Sequence, residues 1–265
     1  MTTHQRKIKA IVSKLRDWYP KSARDLPWRR TRDPYGIWVS EIMLQQTQVD
    51  TVIPYWERWM RRLPTLESAA SARSSTIHKL WEGLGYYTRV RNLQKAARII
   101  LKEHGGQFPS DFQRVLDLPG IGRYTAGAIC SIAFDQPTPI VDGNVARVLA
   151  RVCGIKGEPH EKKTSTLLWR RAEELIREAQ QTSGRNNTSR PCSQLSQALM
   201  ELGAMICTPK KPNCPVCPLA ANCFAYLKGK TEELPQIKAR PPITQRRFMA
   251  FVLSKGNRFM VRQRP

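Results

Sequence analysis

Four cysteines form the strongest chemical signal in the sequence. They follow the spacing C-x6-C-x2-C-x5-C, at Cys207, Cys214, Cys217 and Cys223. This spacing closes a short loop in which four thiolates can converge on one centre, and tetrahedral zinc and an iron-sulfur cluster both accept four cysteines. The chain has seven cysteines in all, and an odd number with such crowding is not typical of a secreted disulfide framework. The quartet predicts a metal centre, with zinc and iron both open at this point.

Two carboxylates are candidates for acid and base chemistry. Glu41 is isolated in the apolar and amide-rich stretch WVSEIMLQQTQV, residues 38–49. Burial there would raise its pKa and keep a proton available near neutral pH. Asp142, in the stretch VDGNV, precedes a helical pattern and is placed to cap it. The competing interpretations are a solvent-facing glutamate and a simple N-cap, although the capping role does not exclude a second one.

A glycine-containing turn is a candidate phosphate site. Residues 118–126 read LPGIGRYTA, in which Gly120 and Gly122 would let the backbone approach a phosphate closely. The helix that follows would present free amide hydrogens to the same anion. An ordinary turn between two helices is the alternative.

The charge balance indicates the class of partner. Lys and Arg number 44 against 21 acidic residues, which gives a net charge of +23 and a pI near 10.3. Such a surface favours a nucleic acid, and no apolar run reaches the roughly 18 residues of a membrane span. Lys210 and Lys211 lie between two prolines in the cysteine loop and suit contact with phosphates.

The sequence predicts that the elements that position these residues are all α-helices, so the fold class is all-α. Helical periodicity is predicted over residues 5–18, 37–46, 48–61, 75–83, 88–104, 111–117, 123–134, 143–153, 161–180 and 193–206. No strand is predicted before residue 245. Residues 181–191 are polar and predict a surface loop. After a Pro-rich and basic stretch at 231–245, residues 248–253 and 258–262 predict a β-hairpin around Lys255-Gly256-Asn257.

Several of these motifs together resemble the MutY-type adenine DNA glycosylases of the helix-hairpin-helix (endonuclease III) superfamily. The cysteine spacing is similar to the superfamily's 4Fe-4S loop, and residues 38–49, 118–124 and 141–145 match its catalytic and hairpin segments. The resemblance covers about residues 5–227. It implies one 4Fe-4S cluster held by the four cysteines, which decides between iron and zinc.

The resemblance also implies a domain organisation. Residues 23–134 would form a six-helix subdomain with the helix-hairpin-helix, while 1–22 and 135–227 would form the iron-sulfur subdomain. Residues 228–245 would be a linker. Residues 246–265 would be the first hairpin of a truncated C-terminal β domain of the NUDIX-like type.

For catalysis, the resemblance implies that Glu41 protonates the adenine and assists the water. Asp142 would stay ionised and stabilise the sugar cation, and Arg29 would lie near the adenine and orient Glu41. Tyr124 occupies the position of the lysine that forms a Schiff base in endonuclease III-like enzymes, and a tyrosine cannot form an imine. A monofunctional glycosylase is therefore expected.

Three further residues are expected to contact DNA. Gln46 and Tyr86 match residues that wedge into the duplex where the base has left. Core packing competes as the explanation for Tyr86 and Tyr87, and is expected to hold for one of the two. Glu201 matches a carboxylate that meets the exocyclic amine of adenine, and a solvent-facing or arginine-paired glutamate is the alternative.

The expected substrate is double-stranded DNA with adenine opposite 8-oxoguanine or guanine. The protein is expected to act as a monomer in base excision repair, in the nucleoid region of a bacterial cytoplasm or in a eukaryotic nucleus or mitochondrion. Two alternatives stay open: a thymine glycosylase acting on G·T mismatches, and a DNA-binding module without turnover.

Overall fold

The computed structural model describes residues 2–182, 190–237, 247, 249 and 251–260, and these are mostly helical. The α-helices in these ranges are α1 (Thr3–Ser22), α2 (Pro34–Leu44), α3 (Val49–Arg62), α4 (Leu66–Ser71), α5 (Ser74–Trp81), α6 (Thr88–Glu103), α7 (Phe112–Leu116), α8 (Arg123–Phe134), α9 (Gly143–Cys153), α10 (Lys162–Gln181), α11 (Pro191–Met205) and α12 (Phe224–Leu227). Short 3-10 turns occur at Pro27–Arg29, Cys214–Val216 and Ala220–Asn222. The all-α prediction is confirmed. None of these helices has the length and hydropathy needed to cross a bilayer.

Helix α2 shows how the local sequence sets the ends of a helix. The Asp33 carboxylate accepts hydrogen bonds from the first free backbone amides, and Pro34 fills the first helical position, where no amide hydrogen is needed. The helix ends at Leu44 because Gln45 already has a non-helical ψ of 111°, and Gln46 then adopts a left-handed φ of +57°. The predicted range of 37–46 therefore starts and ends too late.

Two short helices, α4 and α12, fall where the sequence predicts none. Helix α4 has six residues and begins with a capping box, in which the Thr65 hydroxyl and the Ser68 side chain each bind the other's backbone amide. Helix α12 has four residues. Neither is long enough to show the 3.6-residue periodicity on which the prediction relies.

The helices pack around two hydrophobic cores. Helices α2 to α8 enclose one core, and α1, α9, α10 and α11 enclose most of the other. Helix α8 contributes to both, with Ile129 in the first and Ile132 in the second. Helix α8 therefore lies where the two cores meet. The division into 23–134 on one side and 1–22 with 135–227 on the other stays a prediction.

A glycine in α8 lets the segment that leads to Asp142 pack directly on this helix. A Cβ atom at Gly127 would lie 2.4 Å from the carbonyl oxygen of Pro139. The Thr138 hydroxyl donates to the Gly127 carbonyl at 3.1 Å. This close approach places residues 138–142 against the helix that carries Tyr124.

The predicted hairpin is present near the end of the described chain. Strands β1 (Ser254–Lys255) and β2 (Arg258–Phe259) pair antiparallel, and Gly256 in the turn has a φ of +59°. The strands are shorter than predicted, and residues 248, 250 and 261–262 of the predicted pair lie outside the described residues. Residues 183–189 of the predicted loop also lie outside the described residues. Of the predicted linker, residues 228–237 are described and residues 238–245 are not.

Candidate active site and cysteine centre

A cavity of 360 Å³ opens where the two cores meet. Its walls come from α2, the start of α8, the start of α9 and the middle of α11. The predicted site residues that line it are Arg29, Glu41, Gln46, Tyr124, Asp142 and Glu201. The structure thus brings together both candidate catalytic carboxylates and four further predicted residues.

Glu41 lies in the middle of α2, a helix with few polar side chains, and is 6% exposed. Its Oε2 atom accepts a hydrogen bond of 2.9 Å from the Tyr124 hydroxyl. The pKa of Glu41 is raised to about 7, because burial and the nearby Asp142 raise it more than the Tyr124 hydrogen bond and Arg29 lower it. A carboxyl group with this pKa can hold a proton near neutral pH and release it to a bound base.

Tyr124 therefore has a contact that the sequence did not suggest. The sequence analysis treats this residue only as the replacement for a Schiff-base lysine, whereas its hydroxyl holds Glu41 and also lies 3.3 Å from the Met200 sulfur. Burial, Glu41 and Asp142 all raise the pKa of Tyr124 well above its ordinary value. The hydroxyl therefore stays protonated and acts as a hydrogen-bond donor to the carboxyl group.

Asp142 is the N-cap of α9, and it also faces the cavity. Its Oδ1 atom accepts a 2.7 Å hydrogen bond from the backbone amide of Val145, and the Asn144 side chain donates to Oδ2 at 3.3 Å. Burial raises the pKa of Asp142, while the Val145 amide, Arg147 and the Asn144 donors oppose that rise and favour the carboxylate. The capping role and a place in the cavity are thus compatible, because only part of the carboxylate is needed for the cap.

Glu201 is fully buried on α11 and is paired with two arginines. Arg24 donates to it from Nε, from Nη2 and from its backbone amide, each at 2.9 Å, and Arg29 Nη2 donates to Oε2 at 2.7 Å. Burial raises the pKa of Glu201, but the hydrogen bonds from both arginines outweigh it and hold the pKa at about 2. Glu201 is therefore the arginine-paired glutamate that the sequence analysis gave as an alternative. Its carboxylate nevertheless lines the cavity.

Arg29 is expected to orient Glu41, but its hydrogen bonds go to other groups. Its two Nη atoms donate to Glu201 and to the carbonyl oxygen of Arg24, so its effect on Glu41 is electrostatic. The hydroxyl of Tyr124 makes the orienting hydrogen bond instead. Arg24 was not predicted as a site residue, and nothing in its local sequence marks it, because its partner lies on a helix 177 residues away.

The two predicted wedge residues lie on surface turns. Gln46 is exposed, and Tyr86 is 63% exposed, with its ring 5.5 Å from the guanidinium of Arg89. Tyr87 is 39% exposed and its ring lies 5.9 Å from that of His78. The expectation that one of the two tyrosines packs in the core is wrong, because the turn at 83–87 projects both rings outward.

The glycine-containing turn precedes α8 as predicted. Gly120 has a φ of +78°, and a Cβ there would lie 2.7 Å from the Cβ of Asn92 on α6. Gly122 is exposed and is the N-cap of α8, whose first amides have no side-chain cap. The turn can therefore present free backbone donors to an anion. Lys210 and Lys211 are also exposed, in the loop that follows α11.

The four clustered cysteines are free thiols that line one small cavity together with Arg151. Arg151 is 2% exposed and donates from Nη1 to the Cys207 sulfur at 3.4 Å and to the Thr208 carbonyl at 2.7 Å. Burial raises the pKa of Cys217 to about 11. In the described residues, no group of three or more His, Cys, Asp or Glu side chains is arranged to hold a metal ion.

Comparison with known proteins identifies a family. The profile of the "HhH-GPD superfamily base excision DNA repair protein" family matches residues 39–174. The chain is 45% identical over 247 residues to the adenine DNA glycosylase of Mus musculus, covering 90% of this chain and 46% of that protein. It is 38% identical over 257 residues to the adenine DNA glycosylase of Buchnera aphidicola subsp. Acyrthosiphon pisum, covering 96% and 70%. The chain thus spans about half the length of the mammalian relatives that it matches.

Solved structures agree on the fold. A thermostable thymine-DNA glycosylase superposes with a TM-score of 0.73 at 30% identity, covering 86% of this chain and all of that one. A trapped endonuclease III-DNA covalent intermediate superposes with a TM-score of 0.67 at 21% identity, covering 86% and 99%. The predicted helix-hairpin-helix glycosylase fold is confirmed.

Proposed function

Because this chain belongs to the HhH-GPD superfamily of base excision DNA repair proteins, we propose that it is a monofunctional adenine DNA glycosylase. Its substrate would be duplex DNA in which adenine lies opposite 8-oxoguanine or guanine. One observation carries the proposal: a buried glutamate with a pKa of about 7 shares a cavity with a hydrogen-bonded aspartate. Glycoside-cleaving enzymes divide acid and anion roles between two carboxyl groups in this way.

The two carboxyl groups would act on opposite sides of the glycosidic bond. Adenine leaves poorly until it is protonated, so Glu41 would donate its proton to N7 of the flipped base. The bond between the base nitrogen and the sugar carbon then breaks with its electron pair on the base, and the sugar becomes cationic. The Asp142 carboxylate would stabilise that cation, whose charge favours the ionised form of Asp142. Water would add to the sugar carbon and release a proton to Glu41.

Tyr124 supports a monofunctional reaction. Its phenol has no amine to form an imine with the opened sugar, and its raised pKa keeps it neutral. It would instead hold Glu41 in place through the 2.9 Å hydrogen bond. Glu201 would contact the exocyclic amine of adenine, and its pairing with Arg24 and Arg29 would keep it an acceptor.

DNA would be held by backbone donors and exposed cations. Gly120, Gly122 and the start of α8 would bind phosphate, and Lys210 and Lys211 would add salt-dependent contacts. Gln46 and Tyr86 would enter the space left by the flipped base, which offsets part of the few kcal/mol lost on unstacking. The net charge of +23 suits this partner.

We further propose that Cys207, Cys214, Cys217 and Cys223 hold a 4Fe-4S cluster. The four thiols line one small cavity, and the buried arginine beside one sulfur suits an anionic group such as a cluster held by four thiolates. When bound, the cluster would cross-link the loop that carries Lys210 and Lys211. The purified protein should be brown, with absorption at about 400 nm and about four irons per chain, and a colourless preparation containing zinc would contradict the assignment.

A thymine glycosylase acting on G·T mismatches is the second candidate, favoured by the structural similarity to a thymine-DNA glycosylase. The decisive test is a single-turnover assay on duplexes with A opposite 8-oxoguanine, A opposite G, and T opposite G. Release of adenine is expected, and release of thymine alone would overturn the choice. No release from any duplex would favour a DNA-binding module.

The same assay tests the two carboxyl roles. Glu41→Gln and Asp142→Asn should each nearly abolish cleavage while leaving duplex binding intact. Glu57→Gln, on the exposed face of α3, is the matched control and should cleave at the normal rate. Near-normal cleavage by either site variant would remove that residue from the mechanism.

A further inference from the structure

Arg89, the second residue of α6, joins two surface segments that are distant in sequence. Its guanidinium Nη atoms donate at 2.6 to 3.3 Å to five carbonyl oxygens, those of Ile42, Met43, Gln45, Leu84 and Gly85. Three of these carbonyls end α2, and the other two belong to the turn at 83–87. One side chain therefore clamps the end of α2 to this turn.

Each clamped segment continues into a residue with left-handed backbone. Gln46 has a φ of +57° and Tyr86 a φ of +48°, and among the described non-glycine residues only Asp135 and Lys211 share this conformation. Side chains other than glycine disfavour this conformation, so the surroundings must hold it. Arg89 also lies against the Tyr86 ring, with its guanidinium carbon 5.5 Å from the ring centroid.

The contacts of Arg89 are not those of an ion pair. Within the described residues its guanidinium has no carboxylate partner, its Nε atom is buried without a hydrogen bond, and burial lowers its pKa. Its charge is satisfied by the carbonyl oxygens that end α2, where the helix dipole is negative. The planar guanidinium has several N–H donors in fixed directions, so it can donate to carbonyl oxygens of both segments at once. The single ammonium group of lysine cannot do this.

We propose that Arg89 is a positioning residue that holds Gln46 and Tyr86 together in the conformation that enters the duplex. The two side chains then insert as one preformed unit, and no ordering of the turns is needed when the base leaves the stack. This inference rests on the proposed function, because it assigns Arg89 a part in base flipping. It does not require that the flipped base be cleaved.

The test is stopped-flow fluorescence of a duplex with 2-aminopurine in place of the target adenine, since its emission rises when it leaves the stack. Arg89→Lys keeps the charge but loses the fork, and the flipping equilibrium constant should fall about tenfold, a loss within the usual range for coupled contacts. Arg98→Lys is the matched control. Arg98 lies exposed on the same helix and donates to one carbonyl, so its variant should flip the base normally.

A double-mutant cycle separates positioning from a general structural role. If Arg89 acts through the two wedge residues, Arg89→Lys should cause no further loss in a Gln46→Ala, Tyr86→Ala background. Equal losses in both backgrounds, or normal flipping by Arg89→Lys, would overturn the proposal. If the unaltered protein flips 2-aminopurine but releases no adenine, the proposed function fails while the role of Arg89 is still measured.

Discussion

The buried acid should destabilise the folded protein at neutral pH, and its removal should reveal by how much. Glu41 has an ordinary pKa of 4.5 and a pKa of about 7 in the folded state. Below the lower value the side chain is neutral in both the folded and unfolded states. As pH rises, the unfolded chain loses the proton first, so the free energy of unfolding decreases until the folded state also ionises. The full loss is about 3 kcal/mol.

Glu41→Gln should therefore be more stable than the unaltered protein, by an amount that depends on pH. Glutamine is uncharged, close in shape, and can still accept the hydrogen bond from Tyr124. The stability difference should grow by about 2.5 kcal/mol between about pH 5 and pH 8. A protein that loses activity while gaining stability fits the general trade-off at active sites.

Urea unfolding at a series of pH values measures this difference directly. Both proteins contain Asp142 and every other titrating group, so subtraction isolates the side chain at position 41. Glu57→Gln, which alters an exposed carboxylate, is the matched control for a Glu-to-Gln substitution outside the cavity. If the stability difference between Glu41→Gln and the unaltered protein does not change with pH, the pKa of Glu41 in the folded state is ordinary. Glu41 would then not be a neutral general acid near pH 7.

Three other variants probe the supports of the site. Tyr124→Phe removes a donor that lowers the pKa of Glu41, so the alkaline limb of the single-turnover pH profile should move to higher pH, and movement to lower pH would contradict this reading. Glu201→Gln leaves two arginines beside a neutral amide and should lower the free energy of unfolding in urea by about 3 kcal/mol, whereas an effect below 1 kcal/mol would show that the pairing is weak. Gly127→Ala places a Cβ 2.4 Å from the Pro139 carbonyl and should cost about 1 to 3 kcal/mol in the same assay while slowing cleavage, and unchanged stability would show that the packing there is loose.

The sequence by itself determined the elements and the chemistry that depends on neighbours in the chain. The Asp142 N-cap and the left-handed Gly154 bound α9 at the predicted residues, because capping and glycine conformation are local effects. The four-cysteine spacing and the glycine-containing turn are likewise local patterns. The largest errors in helix ends are in α1, which extends to Ser22 and not to residue 18, and in α2, which begins at Pro34 and not at residue 37, where helical turns extend beyond the apolar pattern.

The tertiary structure decided which groups meet and in which protonation state. Tyr124 binds Glu41 across 83 residues, Arg24 binds Glu201 across 177, and Arg89 reaches carbonyls more than 40 residues away. No local pattern records such contacts, because they arise from the packing of helices against one another. The pKa of a carboxyl group depends on the water it loses and the charges it gains in that packing. The apolar sequence around Glu41 was enough to predict its raised pKa, whereas only the folded chain shows the two arginines that lower the pKa of Glu201.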